Sequence, residues 1–237
     1  MKNQPASHTR LRRHLIQTAV ASLCTLGALA SVQAQQAWPT AKPIRIVVGF
    51  APGGTTDVMA RAMGAALSEA LGQTVLIDNK PGASGNVAAS EVIRAQPDGH
   101  TFLVAPTSFE TANPFLFKQT ISPAKDLTPV AGVGKSQMYV VVNQQSPFKD
   151  ARELVAFAQK NPAKLSYTSA GAGTPPHLAG ELFKQSAKFF AVHIPYRGAA
   201  PALQDVMAGQ TDFVCYPGIA FPHIRTNKVK LLGVVSA

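Results

Sequence analysis

Four short segments of the sequence combine glycine with hydroxyl, imidazole or guanidinium side chains at points where a strand gives way to a helix. They cover residues 50–57, 82–86, 170–177 and 196–201. Glycine lets the backbone approach a ligand closely, and the free N–H groups of a helix start attract an anion. The alternative is that each segment is a plain tight turn with a capped helix behind it. The four segments are therefore candidates for a site that binds an anionic small molecule, and the local pattern leaves both interpretations open.

Two side chains in these segments could contact such an anion directly. His177 could donate a hydrogen bond to a carboxylate, or it could only pack in the first turn of its helix. Arg197 could hold a carboxylate through a pair of hydrogen bonds, or it could lie on the surface. The local sequence leaves both alternatives open.

Signatures of catalytic and metal-binding proteins are absent from the sequence. It contains no Gly-x-Ser-x-Gly elbow and no His-Glu-x-x-His, and the segment at residues 50–57 fits neither a Walker loop nor Gly-x-Gly-x-x-Gly. Ser84 and Ser169 lie in the segments above, but no base is identifiable as their partner. We therefore expect no enzyme activity, no metal and no cofactor. An α/β hydrolase-like or transferase enzyme that uses Ser84 or Ser169 with His177 remains the alternative.

The first 34 residues are typical of an export signal. Basic residues open the segment, an apolar stretch covers residues 15–30, and Val32-Gln33-Ala34 fits a cleavage site of small residues. Arg12 and Arg13 resemble a twin-arginine signal only loosely. We predict a signal peptide over residues 1–34 that uses the general secretory (Sec) route.

The charge and the cysteine content exclude two classes of protein. The sequence has 22 Lys and Arg against 12 Asp and Glu, but part of this excess lies in the predicted signal peptide. The rest forms no basic run, so we expect no nucleic-acid partner. Cys24 and Cys215 are too few for a disulfide scaffold, and after cleavage Cys215 would be a lone, buried thiol.

The remaining chain alternates apolar strands with amphipathic helices. Residues 44–50 form a nearly continuous apolar run, as a strand buried on both faces requires. A helix over residues 57–71, a strand over 74–77, a helix ending near residue 95 and a strand over 101–105 follow. This βαβαβ order predicts a parallel sheet with right-handed crossovers.

A second alternation follows a strand over residues 136–142 and an extended crossover at 143–147. It begins with a capping box from Asp150 to Glu153 and runs to a strand over residues 212–216. We predict two α/β lobes, the first over residues 35–142 and the second over residues 143–228. A last apolar strand at residues 229–237 is predicted to return to the first lobe.

A series of motifs follows in order from residue 38 onward. They are Trp38-Pro39, Lys42 to Val48, Phe50 to Asp57, Asn79 to Asn86, Pro97 to Thr101, Leu165 to Gly171, Gly173 to Leu178 and Pro195 to Gly198. Each motif is weak alone, but the ordered series covers residues 38–237. It resembles the Bug-type receptors, which are the periplasmic solute-binding proteins of tripartite tricarboxylate transporters.

The resemblance implies a two-lobed periplasmic-binding-protein type II fold with parallel-rich sheets and flanking helices. It also implies a periplasmic monomer that captures a small carboxylate between its lobes and delivers it to the membrane permease subunits of the transporter. A sensor that presents the same ligand to a signalling partner is the alternative within binding proteins. Because the family continues well past the strand at 229–237, we expect a C-terminally truncated chain that lacks the last part of the first lobe.

The resemblance also implies which residues line the cleft. In the first lobe they are Phe50, Ala51, Gly53, Gly54, Thr55, Asp57, Gly82, Ser84, Gly85, Thr107 and Ser108. In the second lobe they are Ser169, Gly171, Gly173, Thr174, His177, Tyr196, Arg197 and, as a weaker candidate, Asp212. The segment from Ser169 to His177 is expected to grip a carboxylate at a helix start.

Overall fold

The computed structural model describes residues 38–118 and 122–235. The predicted signal peptide, residues 1–34, lies outside these ranges. Residues 38–41 form a turn and belong to a unit separate from the one that begins at Lys42. All the strands and helices of the described chain belong to this second unit.

The first sheet has three parallel strands in the order β2-β1-β3. Its strands and helices are β1 Ile44–Val48, α1 Thr55–Leu71, β2 Val75–Asn79, α2 Asn86–Arg94 and β3 Thr101–Val104. The middle strand, β1, is almost wholly buried, which explains its continuous apolar sequence. α1 ends at Gly72, whose φ of 60° lies in the left-handed region that favours glycine. The predicted βαβαβ sheet is confirmed.

Three short helices follow β3. They are α3 Ser108–Thr111, α4 Asn113–Leu116 and α5 Pro123–Asp126. The sequence carries no periodic signal for them, because each is little more than a single turn.

The second sheet has five strands in the order β6-β5-β7-β4-β8. Its strands and helices are β4 Met138–Asn143, α6 Ala151–Lys160, β5 Ser166–Ser169, α7 Pro175–Ser186, β6 Val192–Pro195, α8 Ala199–Met207, β7 Phe213–Tyr216, α9 Phe221–Arg225 and β8 Val229–Val235. β5 is parallel to β6 and β7, whereas β4 is antiparallel to β7 and β8. Both faces of the sheet are apolar: Val140 joins the cluster that contains Leu154 of α6, and Val141 joins the cluster that contains Leu203 of α8.

The capping box at the start of α6 is confirmed. Asp150 Oδ1 accepts hydrogen bonds from the backbone N–H groups of Arg152 at 2.8 Å and Glu153 at 2.9 Å. The Glu153 carboxylate reaches back to the N–H of Lys149 at 2.8 Å, one residue earlier than a standard capping box requires.

β4 and β8 pair in the second sheet, which the sequence analysis did not foresee. We predicted that residues 136–142 and 229–237 belong to the first lobe, but both strands pair within the second sheet. Val140 of β4 lies opposite Cys215 of β7, and Val141 lies opposite Leu231 of β8. An apolar strand fits any buried position, so its sequence pattern alone does not choose between two sheets. The lobe boundaries at residues 142 and 228 remain a prediction.

Candidate functional site

Four glycine-rich loops meet between the two sheets. We call residues 49–54 and 82–85 the first-sheet loops, and residues 170–174 and 196–200 the second-sheet loops. Ala51 N donates to the carbonyl of Arg197 at 3.4 Å, and a Cβ on Gly198 would lie 2.8 Å from the Cβ of Ala51. Ser84 Oγ donates to the carbonyl of Ala172 at 2.6 Å. The four segments singled out in the sequence are therefore brought together at one place.

The Pro-Gly-Gly loop after β1 is held in shape by a buried carboxylate. Asp57 accepts hydrogen bonds from Gly53 N at 2.8 Å, Arg61 Nε at 2.9 Å and Asn79 Nδ2 at 2.9 Å. Asn79 Nδ2 also donates to the carbonyl of Phe50 at 3.0 Å. Burial alone would raise the pKa of Asp57, but the three hydrogen bonds outweigh it and leave this pKa lowered. Asp57 thus positions the loop, and its oxygens are already engaged.

Two of the four loops end at helices that have no side-chain cap. Gly54 is the N-cap of α1 and Gly198 is the N-cap of α8, and as glycines they have no side chain that could accept from the N–H groups of the first turn. The two starts face each other, since a Cβ on Gly54 would lie 3.3 Å from Ala199 Cβ and 3.7 Å from Ala199 N. The hydroxyl oxygen of Thr55 is buried here and has no hydrogen-bond partner within the described chain. The backbone N–H groups at the N-termini of α1 and α8 therefore lie close to the Thr55 hydroxyl, and together these groups would stabilise an anion.

The turn at residues 82–85 lies against the Pro-Gly-Gly loop. A Cβ on Gly49 would lie only 2.5 Å from the Cα of Gly85, so the two backbones touch. Gly82 has a φ of 153°, and a Cβ added there would contact the side chain of Val87. Gly85 has a φ of 97°. The ring of Phe50 lies 3.8 Å from the Cβ position of Gly85, so Phe50 packs against this turn, and its side chain is buried.

The residues after β3 lie near the same turn. The ring of Phe109 comes within 3.8 Å of the Cβ position of Gly85. Ser108, at the start of α3, is buried, whereas Thr107 is exposed. Of this predicted pair, Thr107 is the side chain open to solvent.

The second-sheet loop after β5 is folded by its own side chains. Ser169 Oγ and Thr174 Oγ1 both donate to the carbonyl of Gly171, at 3.0 and 2.6 Å. His177 Nδ1 accepts a hydrogen bond from Gly173 N at 3.0 Å. His177 therefore positions the loop through this nitrogen.

The start of α7 offers fewer donors than we expected. Its first two residues are Pro175 and Pro176, which have no backbone N–H. The Thr174 N–H donates to the carbonyl of Gly171 at 3.3 Å. The N-terminus of α7 therefore has fewer free backbone N–H groups than the sequence analysis expected.

A second histidine lies beside His177. The two rings stack, with the centroids of His177 and His193 4.1 Å apart, and His193 Nε2 lies 2.7 Å from Ser169 Oγ. Ser169 thus pairs with His193, whereas the hydrolase-like alternative assigned it to His177. Ser169 is 0% exposed, so a substrate has no access to its hydroxyl. Burial lowers the pKa of His177, against an opposing effect of the Glu181 carboxylate and a further lowering by Lys184.

The segment after β6 presents one exposed cation to the site. Tyr196 OH donates to the carboxylate of Asp205, which raises the pKa of this tyrosine to about 12 and fixes its side chain. The side chain of Arg197 is exposed and forms no ion pair with any described residue. Arg197 is therefore available to a ligand.

Asp212 is corrected as a candidate site residue. Its Oδ2 accepts hydrogen bonds from Ser166 N at 2.7 Å and Ser166 Oγ at 3.0 Å, at the beginning of β5. The second-sheet loops follow the ends of β5 and β6, so Asp212 lies at the opposite edge of the sheet. The chain order shows this directly, because Asp212 precedes its strand whereas the loops follow theirs.

Three residues that position the site escaped the sequence analysis. Asn79 and Asn113 hold the first-sheet loops, and His193 holds Ser169. Asn79 belongs to a motif that we had already noted, so its signal was present. Asn113 and His193 make these hydrogen bonds across 24 residues or more, and no local pattern reveals them.

Two other kinds of function find no support in the described chain. In residues 38–118 and 122–235, no helix has the length and apolar character needed to cross a membrane. In the same ranges, no group of three His, Cys, Asp or Glu side chains could hold a metal ion.

Comparison with known proteins agrees with the two-sheet architecture. The chain is 36% identical over 209 residues to a protein of the tcbD-tcbE intergenic region of Pseudomonas sp. strain P51, covering 87% of this chain and 62% of that protein. A structure of an R. palustris protein with adipate has a TM-score of 0.82 at 33% identity, covering 85% of this chain and 68% of the other. MatC from Rhodopseudomonas palustris with bound malate has a TM-score of 0.76 at 33% identity, covering 83% and 67%. This chain thus spans less than two thirds of the Pseudomonas relative.

A family assignment follows from a match over most of the chain. The model of the tripartite tricarboxylate transporter family receptor matches residues 59–237, and the periplasmic binding protein BugD has a TM-score of 0.75 at 34% identity, covering 82% of this chain and 66% of that one. The resemblance to Bug-type receptors and the type II periplasmic-binding-protein fold are confirmed. Because the family consists of receptors, the expectation that the chain is not an enzyme is also confirmed. The chain belongs to the tripartite tricarboxylate transporter family of receptors.

Proposed function

We propose that this chain binds a small dicarboxylate between two lobes, as the periplasmic receptor of a tripartite tricarboxylate-type transporter. One observation carries the proposal: the uncapped starts of α1 and α8 face each other across the meeting point of the loops. Each start presents backbone N–H groups and the positive end of a helix dipole. A carboxylate bound beside the point where the two helix N-termini meet would accept hydrogen bonds from donors of both sheets at once.

The side chains near this point suit the same ligand. Arg197 adds a cation without a described partner, and the buried Thr55 hydroxyl adds a group that can donate or accept. The Asp57 carboxylate is neutralised by Arg61 and by two N–H groups, so its charge opposes an anion less. The local electrostatics therefore favour a negatively charged ligand.

The choice of a dicarboxylate rests on two relatives. One solved relative holds adipate and another holds malate, and both molecules carry two carboxylates. Apart from Arg197, the donors proposed above are backbone N–H groups and the Thr55 hydroxyl, which recognise a carboxylate without selecting one carbon chain. We therefore propose the class of small dicarboxylates, with the length of the chain between the carboxylates left to experiment.

Membership of the family supports a proposal for the location and the partners. We infer export to the periplasm by the Sec route, and capture of the ligand there by a monomer. Closure of the two lobes over the ligand would then form the surface that the membrane permease subunits recognise.

Isothermal titration calorimetry with malate, adipate and citrate tests the proposal. We expect malate or adipate to bind, with the tricarboxylate citrate as a comparison, and we expect Arg197→Gln to weaken the binding roughly tenfold or more, because a hydrogen bond to a charged group is lost. Arg152→Gln is the matched control, since Arg152 is an exposed arginine on α6. Heat of binding that is absent for every acid, or equal affinities for Arg197→Gln and Arg152→Gln, would contradict the proposed site.

A further inference from the structure

A serine side chain ties the loops of one sheet to the loops of the other. Ser84 Oγ donates to the carbonyl of Ala172 at 2.6 Å, between segments 88 residues apart in sequence. The other hydrogen bond between these loops in the described chain joins the backbones of Ala51 and Arg197 and is longer, at 3.4 Å. Ser84 therefore makes the shorter and stronger of the two connections.

We propose that Ser84 is a latch, whose hydroxyl stabilises the closed arrangement of the first-sheet and second-sheet loops when no ligand bridges them. The inference rests on the proposed function, because closure matters only for a receptor that opens and closes. In this role Ser84 is a positioning residue. Its hydroxyl donates to the carbonyl of Ala172 and is therefore not free to donate to a ligand.

The backbone at Ser84 is held in an unfavourable conformation. Ser84 has a φ of 51° and Ala83 a φ of 44°, both in the left-handed region. A residue with a side chain has a free-energy cost there relative to the right-handed region. Glycine would remove this cost, so what the strained position gains from serine is its hydroxyl.

A buried amide fixes the latch from behind. Asn113 Nδ2 donates to the carbonyl of Ser84 at 3.0 Å and to Asn86 Oδ1 at 3.3 Å. Asn113 is 1% exposed, and its Oδ1 lies 3.2 Å from where a Cβ on Gly173 would be. The amide therefore holds the Ser84 backbone and also packs against the second-sheet loop that receives the hydroxyl. A hydrogen bond on so rigid a support loses little conformational entropy when the loops meet.

The latch is tested by measuring the distance between the lobes in the ligand-free chain. Spin labels at Glu69→Cys on α1 and Lys160→Cys on α6, both exposed positions, report this distance by double electron–electron resonance. The background carries Cys24→Ser, and Cys215 is buried and so protected from the label.

The variants compared are Ser84→Ala, Ser84→Gly and the control Ser90→Ala. Ser90 is also a serine of the first-sheet side, but its hydroxyl donates within α2, to the carbonyl of Asn86 at 2.9 Å. We expect both Ser84 variants to lower the ratio of closed to open chains roughly two- to tenfold, the range for one net hydrogen bond. Ser90→Ala is expected to leave the ratio unchanged.

A second readout separates the latch from a purely structural role. Ser84→Gly relieves the backbone strain while it removes the hydroxyl, so its melting temperature should equal or exceed that of the parent even as closure weakens. If Ser84 had only a structural role, Ser84→Gly would lower the melting temperature and the closed population together.

The latch is overturned if the ligand-free parent has no closed population, or if its closed population equals that of both Ser84 variants. Absence of dicarboxylate binding to the parent would instead refute the proposed function. The ligand-free distances decide on the latch in either case.

Discussion

The stacked rings of His177 and His193 make the free energy of unfolding depend on pH. Burial, and then the neighbouring His177, lower the pKa of His193 to about 4, against an opposing effect of Glu181 and with a further lowering by Lys184. Burial also lowers the pKa of His177. Both rings therefore stay neutral at a pH where a free imidazole would take up a proton.

The lowered pKa of His193 contributes to stability at neutral pH, and this contribution is lost as the pH falls. In the unfolded chain a histidine is protonated as the pH falls below about 6.5, whereas folded His193 is protonated only near pH 4. Between these values the unfolded chain binds more protons than the folded chain. The contribution to the free energy of unfolding is thus complete above about pH 6.5 and is lost as the pH falls towards 4. The difference corresponds to about 3 kcal/mol for His193.

Urea unfolding at a series of pH values from 7.5 to 4.5 measures this effect. We expect the parent to lose about 2–3 kcal/mol over this range, and His193→Gln to lose clearly less, because glutamine keeps a donor near Ser169 but does not titrate. The remaining slope of the variant would come from His177. His223→Gln, on α9 and outside the stacked pair, is the matched control. A parent whose free energy of unfolding stays constant over the range, or a His193→Gln variant with the parent's slope, would refute this reasoning.

Three substitutions test contacts elsewhere. Gly180→Ala on α7 would place a Cβ 2.4 Å from the ring of buried Tyr167, and we expect a loss of about 1–3 kcal/mol in urea unfolding; a stability equal to the parent's would show that the ring moves aside. Gly49→Ala would meet the Gly85 backbone at 2.5 Å, so calorimetry should find weaker dicarboxylate binding as well as lower stability, and unchanged values of both would contradict the close approach. Asp150→Ala removes two N-cap hydrogen bonds from α6 and should lower stability by about 1 kcal/mol without changing ligand affinity.

The longer strands and helices of the two sheets were predictable because their signals are local. The apolar run of β1, the stop of α1 at Gly72 and the cap of α6 each depend on neighbours in the sequence. The sheet that β4 and β8 join was not predictable, because their pairing partners are distant in the chain and an apolar strand suits several places.

The candidate site was predicted as a set of loops, but not in the roles of its side chains. His177 and Asp57 could each have faced a ligand, and the structure instead engages them with Gly173 and Gly53. A side chain's partner depends on atoms brought together by the whole fold, and the residue type does not specify it. The position of Asp212 is the exception, since its place before β7 already argued against the site.

The absence of side-chain caps at Gly54 and Gly198 has a consequence for how binding and folding are coupled. The Asp150 side chain accepts hydrogen bonds from the first N–H groups of α6. A carboxylate bound at Gly54 and Gly198 would accept in the same way from α1 and α8, so the ligand would act as an N-cap for two helices. Part of the affinity would then be the stabilisation of secondary structure. Serine at position 54 would supply a permanent cap of this kind. It would stabilise α1 and compete with the ligand for the same N–H groups. At this position, higher stability would therefore come with lower affinity for the ligand.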